Sequence, residues 1–211
     1  YERQQSRFEL EHEPFVAAID HYRLNELARS QMEWEQTASV STTVWESFKP
    51  VAMQSKKSAT LTLQEDNSVL VSGRNENSDV YTVELQPRQR KINAIRLEVL
   101  PHESLPQQGP GRAENGNFVL TTLTAKVVSS AENLTARPIR FERAHADYSQ
   151  TKWDVSQAIN DNSSDGWAIA PQQGSRHVAV FELKETILLE EKERLIISLE
   201  QIYDQGDPHN I

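Results

Sequence analysis

LPQQGPGRAENGNFVL, residues 105–120, is the stretch around which the rest of the chain is interpreted. Its prolines and glycines break regular structure up to Asn117, after which Phe118 opens a β-type run. The interrupted part carries one Arg, one Glu and two Asn, which is more polar chemistry than a connector needs. A rigid turn whose side chains bond to its own backbone would use the same residue types. The stretch therefore predicts either a rigid polar turn or the rim of a binding site.

Four side chains are the predicted ligand contacts. They are Arg112, Asn115, Asn117 and Trp153. The Arg112 guanidinium offers five donors in a planar fork, which suits either a carboxylate or several loop carbonyls. Glu98 or Glu114 is the expected carboxylate. Trp153 has polar neighbours in the sequence, so we expect it to form an exposed platform for a sugar ring rather than part of the core.

The residues on either side of Thr37 differ in hydrophobic period. Residues 1–37 carry a loose apolar stripe and are predicted to form a helical lead-in or linker, with Pro14 at a first helical position. After Thr37 the period becomes two, with short strands between polar turns. These strands are predicted over 40–48, 59–64, 68–73, 79–86, 93–100, 117–128, 137–143, 177–184 and 194–203. The pattern predicts an all-β sandwich or barrel over residues 38–211.

Composition excludes several classes of partner and site. The net charge of −9 disfavours binding to a phosphate backbone, so no nucleic-acid partner is expected. No apolar run approaches the roughly 18 residues of a membrane span. Cysteine is absent, which removes disulfides, thiolate metal sites and cysteine nucleophiles. The charged start favours a piece of a longer protein, and the end is expected to lack the last strand of the sandwich.

Signatures of an enzyme are missing from the sequence. The six histidines are scattered and never stand at the spacing of a zinc-binding helix. No nucleophile elbow, phosphate-binding loop or dinucleotide fingerprint is present. Glycoside hydrolysis needs a pair of carboxyl groups of which one is buried, and neighbouring acidic residues such as Glu190 and Glu191 are expected at the surface instead. The sequence predicts that the chain is not an enzyme.

A second informative stretch, residues 144–171, contains a run of oxygen-bearing side chains just before Trp167. Carboxylate, amide and carbonyl oxygens are the ligands that Ca²⁺ takes. Asn160, Asp161 and Asp165 are therefore the predicted ligands of a structural Ca²⁺, with Asp161 as the principal one. An exposed loop of Asx turns would show the same composition. The apolar run after Trp167 predicts that this ring is a core residue.

Several runs resemble one family. They are SVLVSGRNENSDVYTVEL, INAIRLEVLPHESLPQQGPGRAENGNFVLTTLTAKV, RAHADYSQTKWDVSQAINDNSSDGWAIAPQ and HVAVFEL. Together they resemble the β-sandwich module of large planctomycete-type cytochrome c proteins. That module lies between two conserved domains of unknown function, downstream of a c-type haem domain. The resemblance covers about residues 40–203, and GPGRAENGNFVL and AINDNSSDGWAIAP are its most specific parts. The run AINDNSSDGWAI is also similar to discoidin-like sandwiches, although residues 160–162 stand where those have Asp-Gly.

The resemblance implies a jelly-roll sandwich of the galactose-binding-like type, exported to the periplasm or cell surface. It also implies a non-catalytic module that binds glycan or carbohydrate, by analogy of fold. The alternative is a structural or protein-interaction module that orients neighbouring domains of the same protein. No haem is expected in this segment, since the Cys-x-x-Cys-His motif is absent.

Overall fold

In the computed structural model the chain divides into a helical unit, Tyr1–Glu46, and a β unit, Ser47–Ile211. The structure describes residues 2–38, 45–87, 91–129, 136–203 and 208–211. The predicted boundary lay between residues 37 and 38. The helical lead-in followed by an all-β sandwich is confirmed.

The helical unit contains helix α1, Glu2–His21, a π-helical segment, Tyr22–Leu27, and helix α2, Ala28–Ala38. Pro14 lies inside α1, so its predicted place at a first helical position is wrong. An interior proline removes one i to i−4 hydrogen bond, yet the helix continues through it. In the sequence, the apolar stripe makes a five-residue step from Tyr22 to Leu27, and this step coincides with the π-helical segment.

The β unit contains ten strands among its described residues. They are β1 Ala52–Ser55, β2 Ala59–Leu63, β3 Val69–Gly73, β4 Asp79–Leu85, β5 Lys91–Val99, β6 Thr122–Ser129, β7 Ala136–Ile139, β8 Phe141–Ala146, β9 His177–Leu188 and β10 Glu193–Gln201. One sheet has the order β1-β4-β10-β6-β7 and a second has the order β5-β9-β8. Strands β2 and β3 form a separate hairpin, and all pairs are antiparallel.

The core lies between the five-stranded and the three-stranded sheet. Leu123, Ala125 and Val127 are buried on alternate positions of β6, and Ala179 and Phe181 are buried in the same way on β9. Residues of both sheets share one apolar cluster. Because side chains alternate across a strand, a slip of one residue would turn these groups to solvent, and this fixes the register. Each buried aliphatic side chain contributes about 1.5–3 kcal/mol relative to exposure.

The predicted strands differ from the observed ones most at four places, and the first is β1, Ala52–Ser55, which no predicted strand covers. The predicted strand at 40–48 falls partly on residues 39–44, which lie outside the described residues, and residues 45–50 are irregular. The strand predicted over 117–128 begins at Thr122, because the backbone before it bonds to other loops. The strand predicted over 137–143 is two strands separated at Arg140. The hairpin of β2 and β3 is confirmed, with Gln64 N–H donating to Ser68 O at 2.8 Å.

No described helix is long and apolar enough to cross a membrane.

Candidate functional site at the loop end

Three segments of the β unit meet where β6 begins and β10 ends. They are residues 105–121, residues 147–171 and residues 208–211, and together they are called the loop end. The pairing of Val99 with His177, and of Glu200 with Thr122, places these strand termini on the same side of the two sheets. The two stretches that the sequence singled out therefore belong to one end of the sandwich.

The loop over residues 105–121 folds back on itself at a turn from Ala113 to Gly116. Gly116 N–H donates to Ala113 O at 2.8 Å, and Gly111 N–H donates to Gly116 O at 3.1 Å. A side chain at Gly111 would collide with the carbonyl group of Asn117. Gly116 has a φ of +77°, a conformation that favours glycine. The glycines thus permit a close backbone crossing, which buries most of this loop.

Arg112 is the centre of the buried polar contacts in this loop. Its guanidinium donates to Gly73 O at 2.8 Å, to Arg74 O at 3.1 Å and to the Tyr81 hydroxyl at 3.3 Å. The residue is only 8% exposed. The guanidinium therefore donates mainly to backbone carbonyls, and these hydrogen bonds tie the loop to the end of β3 and to β4.

The prediction that Glu98 or Glu114 pairs with Arg112 is wrong. Glu98 forms ion pairs with Arg96 and Arg176 on the surface, at 2.8 Å for the Arg176 pair. Glu114 is exposed in the turn. The other prediction for Arg112, contact with several loop carbonyls, is the one that the structure confirms.

Tyr81 receives one of the Arg112 hydrogen bonds inside the core. The residue is 2% exposed. Burial raises the pKa of the Tyr81 hydroxyl above its ordinary value, and the hydrogen bond and charge of Arg112 counteract part of this rise. Burial prevails because removing a phenolate from water costs more free energy than its interaction with the Arg112 guanidinium returns.

Asn117 and Gln150 join the first loop segment to the second. The Asn117 side-chain amide donates to Gln150 Oε1 at 3.1 Å, and its oxygen accepts from Ile169 N–H at 3.0 Å. Gln150 Oε1 also accepts from Ala170 N–H at 3.1 Å. Asn117 is 5% exposed, so both ends of its amide are used within the protein.

Trp167 belongs to the second segment, contacts the first and is fully buried, as predicted. Its backbone exchanges two hydrogen bonds of 2.9 Å with Leu120. Its ring meets Phe118 edge-on at 5.1 Å, and its indole N–H donates to Tyr148 O at 3.0 Å. A buried Trp with a satisfied N–H contributes a large apolar surface without a desolvation penalty.

The third segment, residues 208–211, runs beside the first without forming a strand. Arg112 N–H donates to Asn210 O at 2.8 Å, and Val119 N–H donates to His209 O at 2.9 Å. Ile211 packs against the main apolar cluster. This segment therefore covers part of the core at the loop end.

Asn75 and Asn210 complete the connection between the segments. The Asn210 side-chain amide donates to Asn75 Oδ1 at 2.9 Å and to Glu76 O at 2.7 Å. Asn75 in turn donates to Arg112 O at 3.0 Å. Sequence reasoning missed both asparagines, because their partners are far away along the chain and no local pattern marks them.

The predicted contacts Asn115 and Trp153 lie nearer the surface than Arg112 and Asn117. Asn115 is exposed, and its Oδ1 accepts from Asn117 N–H at 3.0 Å. Trp153 is half-buried and meets Tyr203 edge-on at 5.0 Å, and Tyr203 meets His209 at 5.6 Å. Two of the predicted contacts, Arg112 and Asn117, are thus buried. The aromatic cluster of Trp153, Tyr203 and His209 is half-buried.

A shallow polar groove is lined by residues 144–149 and by Asp154 and Val155, on either side of Trp153 in the sequence. Its polar side chains are His145, Asp147, Ser149 and Asp154. The pKa of Asp154 is lowered, first by the side-chain hydrogen bond from Ser156 and then by the backbone one. Carboxylate and hydroxyl groups that converge in this way can bind hydroxyl-bearing ligands.

His177 lies buried behind this groove. Its Nε2 is 2.8 Å from Gln172 O, and its Nδ1 is 3.4 Å from Asp147 Oδ1. Asp147 also accepts from Val178 N–H at 3.0 Å. One nitrogen of this histidine is therefore hydrogen-bonded, and the other lies near Asp147 without a hydrogen bond. Sequence reasoning missed it because Asp147 and His177 belong to different strand ends.

The loop of the predicted calcium ligands is closed by its own hydrogen bonds. Asn162 N–H donates to Asn160 Oδ1 at 2.8 Å, and Ser164 N–H donates to Asn162 Oδ1 at 3.1 Å. These two Asx turns direct both side-chain amides towards Asp165, at 3.0 Å and 3.2 Å. Asp161 is exposed with a φ of +62°. Among the described residues, no group of three acidic or histidine side chains is placed to hold a metal. The calcium site stays a prediction.

Comparison of the chain with family models, with curated proteins and with solved structures found no match in any of the three. The contacts of the loop end therefore carry the functional proposal.

Proposed function

We propose that this chain is a non-catalytic β-sandwich module of a larger exported protein, of the cytochrome c-associated kind that its sequence resembles. Its role is that of a structural or protein-interaction module that orients neighbouring domains. The observation that supports this role is the use of polar side chains at the loop end. Arg112, Asn117, Gln150 and Asn210 bond one loop segment to another.

Polar groups bonded in this way are not available to a ligand. A ligand contacting Arg112 would have to replace carbonyl partners inside the protein, at the cost of leaving those oxygens unsatisfied. The same bonds give the loop end a fixed geometry, which a module that positions other domains requires. Galactose-binding-like architecture and export are parts of this proposal that follow from the resemblance.

Cross-linking of the longer protein, read out by mass spectrometry, tests the orienting role. Lys152 at the loop end and Lys184 on β9 are both exposed and serve as reporters. We expect each lysine to cross-link reproducibly to a flanking domain. The variant Arg112→Ala should alter the Lys152 cross-links and leave those of Lys184 unchanged. Folded protein without interdomain cross-links at either lysine would contradict the proposal.

Glycan binding is the second candidate function, and the aromatic cluster favours it. Trp153 is half-buried, and the next residue along the chain, Asp154, lines the groove together with Asp147 and Tyr148. An aromatic face beside a few converging polar groups suits a sugar ring and its hydroxyls. In this case the ligand contacts are Trp153 and groove residues, not Arg112.

A glycan array with the full chain tests this second candidate. We expect any bound glycan to be lost in Trp153→Ala and retained in Trp34→Ala. Trp34 is the matched control because it is 67% exposed and belongs to the helical unit. Equal binding by both variants would show that the glycan binds away from Trp153, and an array without signal would contradict glycan binding.

A further inference from the structure

The helical unit displays a row of large apolar side chains to solvent. Six of them follow one face, and they are called the seam: Phe8, Phe15, Ile19, Tyr22, Leu27 and Trp34. Their exposed fractions lie between 49% for Leu27 and 68% for Phe15. Polar pairs lie elsewhere on the helix, such as Arg29 with Glu33 at 3.0 Å and Gln31 with Glu35 at 2.8 Å. The helix thus has one continuous apolar face, while Val16, Leu24 and Met32 are exposed apolar side chains that are not among these six.

The π-helical segment keeps the seam continuous. In an α-helix, a step of five residues from Tyr22 to Leu27 would turn the side chain well away from the face. A π-helical turn contains more residues than an α-helical turn, so a step of five residues returns close to the same face. As a result Phe15, Ile19, Tyr22 and Leu27 line one groove, with Ala18 and Arg23 at its edges.

A helix of this kind needs a partner for its apolar face. Isolated helices are marginal in water, and an interior proline such as Pro14 weakens them further. Most helical stability in proteins comes from packing of the apolar face. The stability of this unit therefore depends on what covers the seam.

We propose that the seam binds the seam of a second copy of this chain, with the two helices antiparallel. Four of the six seam residues form two pairs that are symmetric about His21. Phe8 and Trp34 are each thirteen residues from His21, and Phe15 and Leu27 are each six residues from it. A twofold axis near His21 therefore places Phe8 opposite Trp34 and Phe15 opposite Leu27, and each contact occurs twice.

The polar positions and the helix dipoles agree with this alignment. His12 and Ser30, which follow the seam on its two halves, are each nine residues from His21 and so oppose each other. A parallel pair in register would instead set His12 against its own copy. A polar pair at one seam position selects the register of paired helices. Antiparallel helices also set opposite dipole ends beside each other.

The area available is sufficient for a dimer. Full burial of a large aromatic side chain removes about 150–250 Å² from solvent. With half to two-thirds of each seam side chain exposed, roughly 100 Å² is available at each, or about 600 Å² per helix. The pair would bury about 1,200 Å² in total, the lower limit of stable interfaces. This interface concerns the helical unit and goes beyond the function proposed for the β unit.

Sedimentation equilibrium of the full chain at about 1–100 µM tests the pairing. We expect a dimer whose dissociation constant rises about tenfold or more in Phe15→Glu and in Leu27→Glu. Leu24→Glu is the matched control, since Leu24 is 76% exposed and outside the groove, and it should leave the constant unchanged. A chain that stays monomeric, or a dimer unaffected by both seam variants, would overturn the proposal.

Disulfide trapping tests the orientation even if the charged variants lose their helix. The chain contains no cysteine, so single cysteines report one contact each. A mixture of Phe15→Cys and Leu27→Cys chains, oxidised gently, should give mainly the mixed disulfide. Dominance of the two symmetric disulfides would show parallel helices and overturn the antiparallel pairing.

Discussion

At the scale of single residues, Arg112 carries more structural contacts than any neighbour in its loop. Its side chain holds carbonyl groups at the end of β3, while its backbone bonds to Asn210 and to Asn75. Hydrogen bonds to a charged group contribute more than neutral ones, and a buried acceptor left without its donor is costly. Stability at the loop end should therefore respond strongly to this one side chain.

We expect Arg112→Ala to lower the free energy of unfolding by about 3 kcal/mol or more. Arg112→Lys should lose about 1–2 kcal/mol, because an ammonium keeps the charge but not the planar fork. Urea unfolding of both variants measures these losses. Arg137→Ala is the control, since Arg137 is exposed and pairs with Glu193 at 3.0 Å, and it should cost less than about 1 kcal/mol. Equal losses at Arg112 and Arg137 would refute the structural role.

Ionisation of Tyr81 should make the free energy of unfolding depend on pH in the alkaline range. Burial raises the pKa of its hydroxyl above 10.0, so the folded state holds this proton to a higher pH than the unfolded chain. The stability from this group is fully present below pH 10 and is lost as the pH rises through the folded pKa. We expect the urea midpoint to fall more steeply above about pH 10 in the parent than in Tyr81→Phe. Tyr22→Phe, at an exposed ring, should keep the parent's slope, and equal slopes in all three would contradict the prediction.

Residue types predicted some of the loop-end contacts but not their partners. A Trp followed by an apolar run predicted the buried Trp167. The guanidinium fork predicted either a carboxylate or several carbonyls as the partners of Arg112, and the structure shows the carbonyls. Neither pattern could supply Asn75, Asn210 or Gln150. These partners become neighbours only when the sheets pack. The residue type alone does not show whether an amide side chain is buried or exposed, since it can donate and accept in both places.

At the scale of elements, alternation of apolar residues predicted most strands of the β unit correctly, including the hairpin of β2 and β3. It failed at the start of β6, where Phe118, Val119 and Leu120 are buried without alternation. Their backbone groups bond to the other loop segments rather than to a strand of the sheet. A run of consecutive apolar residues does not distinguish these two kinds of burial.

The 160–165 loop is the element on which the calcium prediction rests. Its Asx turns already use the amide oxygens and direct amide donors at Asp165, so the alternative of an Asx-turn loop without a cation predicts that EDTA and added Ca²⁺ leave the melting temperature unchanged within about 1 °C. Asp165→Ala should cost about 1 kcal/mol, because two amide donors lose their acceptor. Thermal melts measure both effects. A rise of several degrees with Ca²⁺ that EDTA reverses would instead establish the cation, and Asp161→Asn would show whether Asp161 is its main ligand.

At the scale of the whole molecule, the β unit is a sandwich whose loops at one end are bonded to one another. Sequence alone placed both informative stretches in loops, but it could not bring them together. Their pairing depends on Gly111 and Gly116, which allow two stretches of backbone to cross closely. It also depends on the third segment, whose Ile211 packs against the core. The loop end should therefore unfold with the sheets rather than before them.

Amide hydrogen exchange of the full chain measures this most directly. If the polar side chains of the loop end serve the fold, the amides of Arg112, Val119, Leu120, Trp167 and Ile169 should exchange as slowly as those of β9 and β10. In Arg112→Ala they should exchange faster, while the slowest amides of β9 change only by the loss in global stability. Loop-end amides that exchange orders of magnitude faster than β9 in the parent protein would show a mobile rim, and they would contradict the structural role proposed for these side chains.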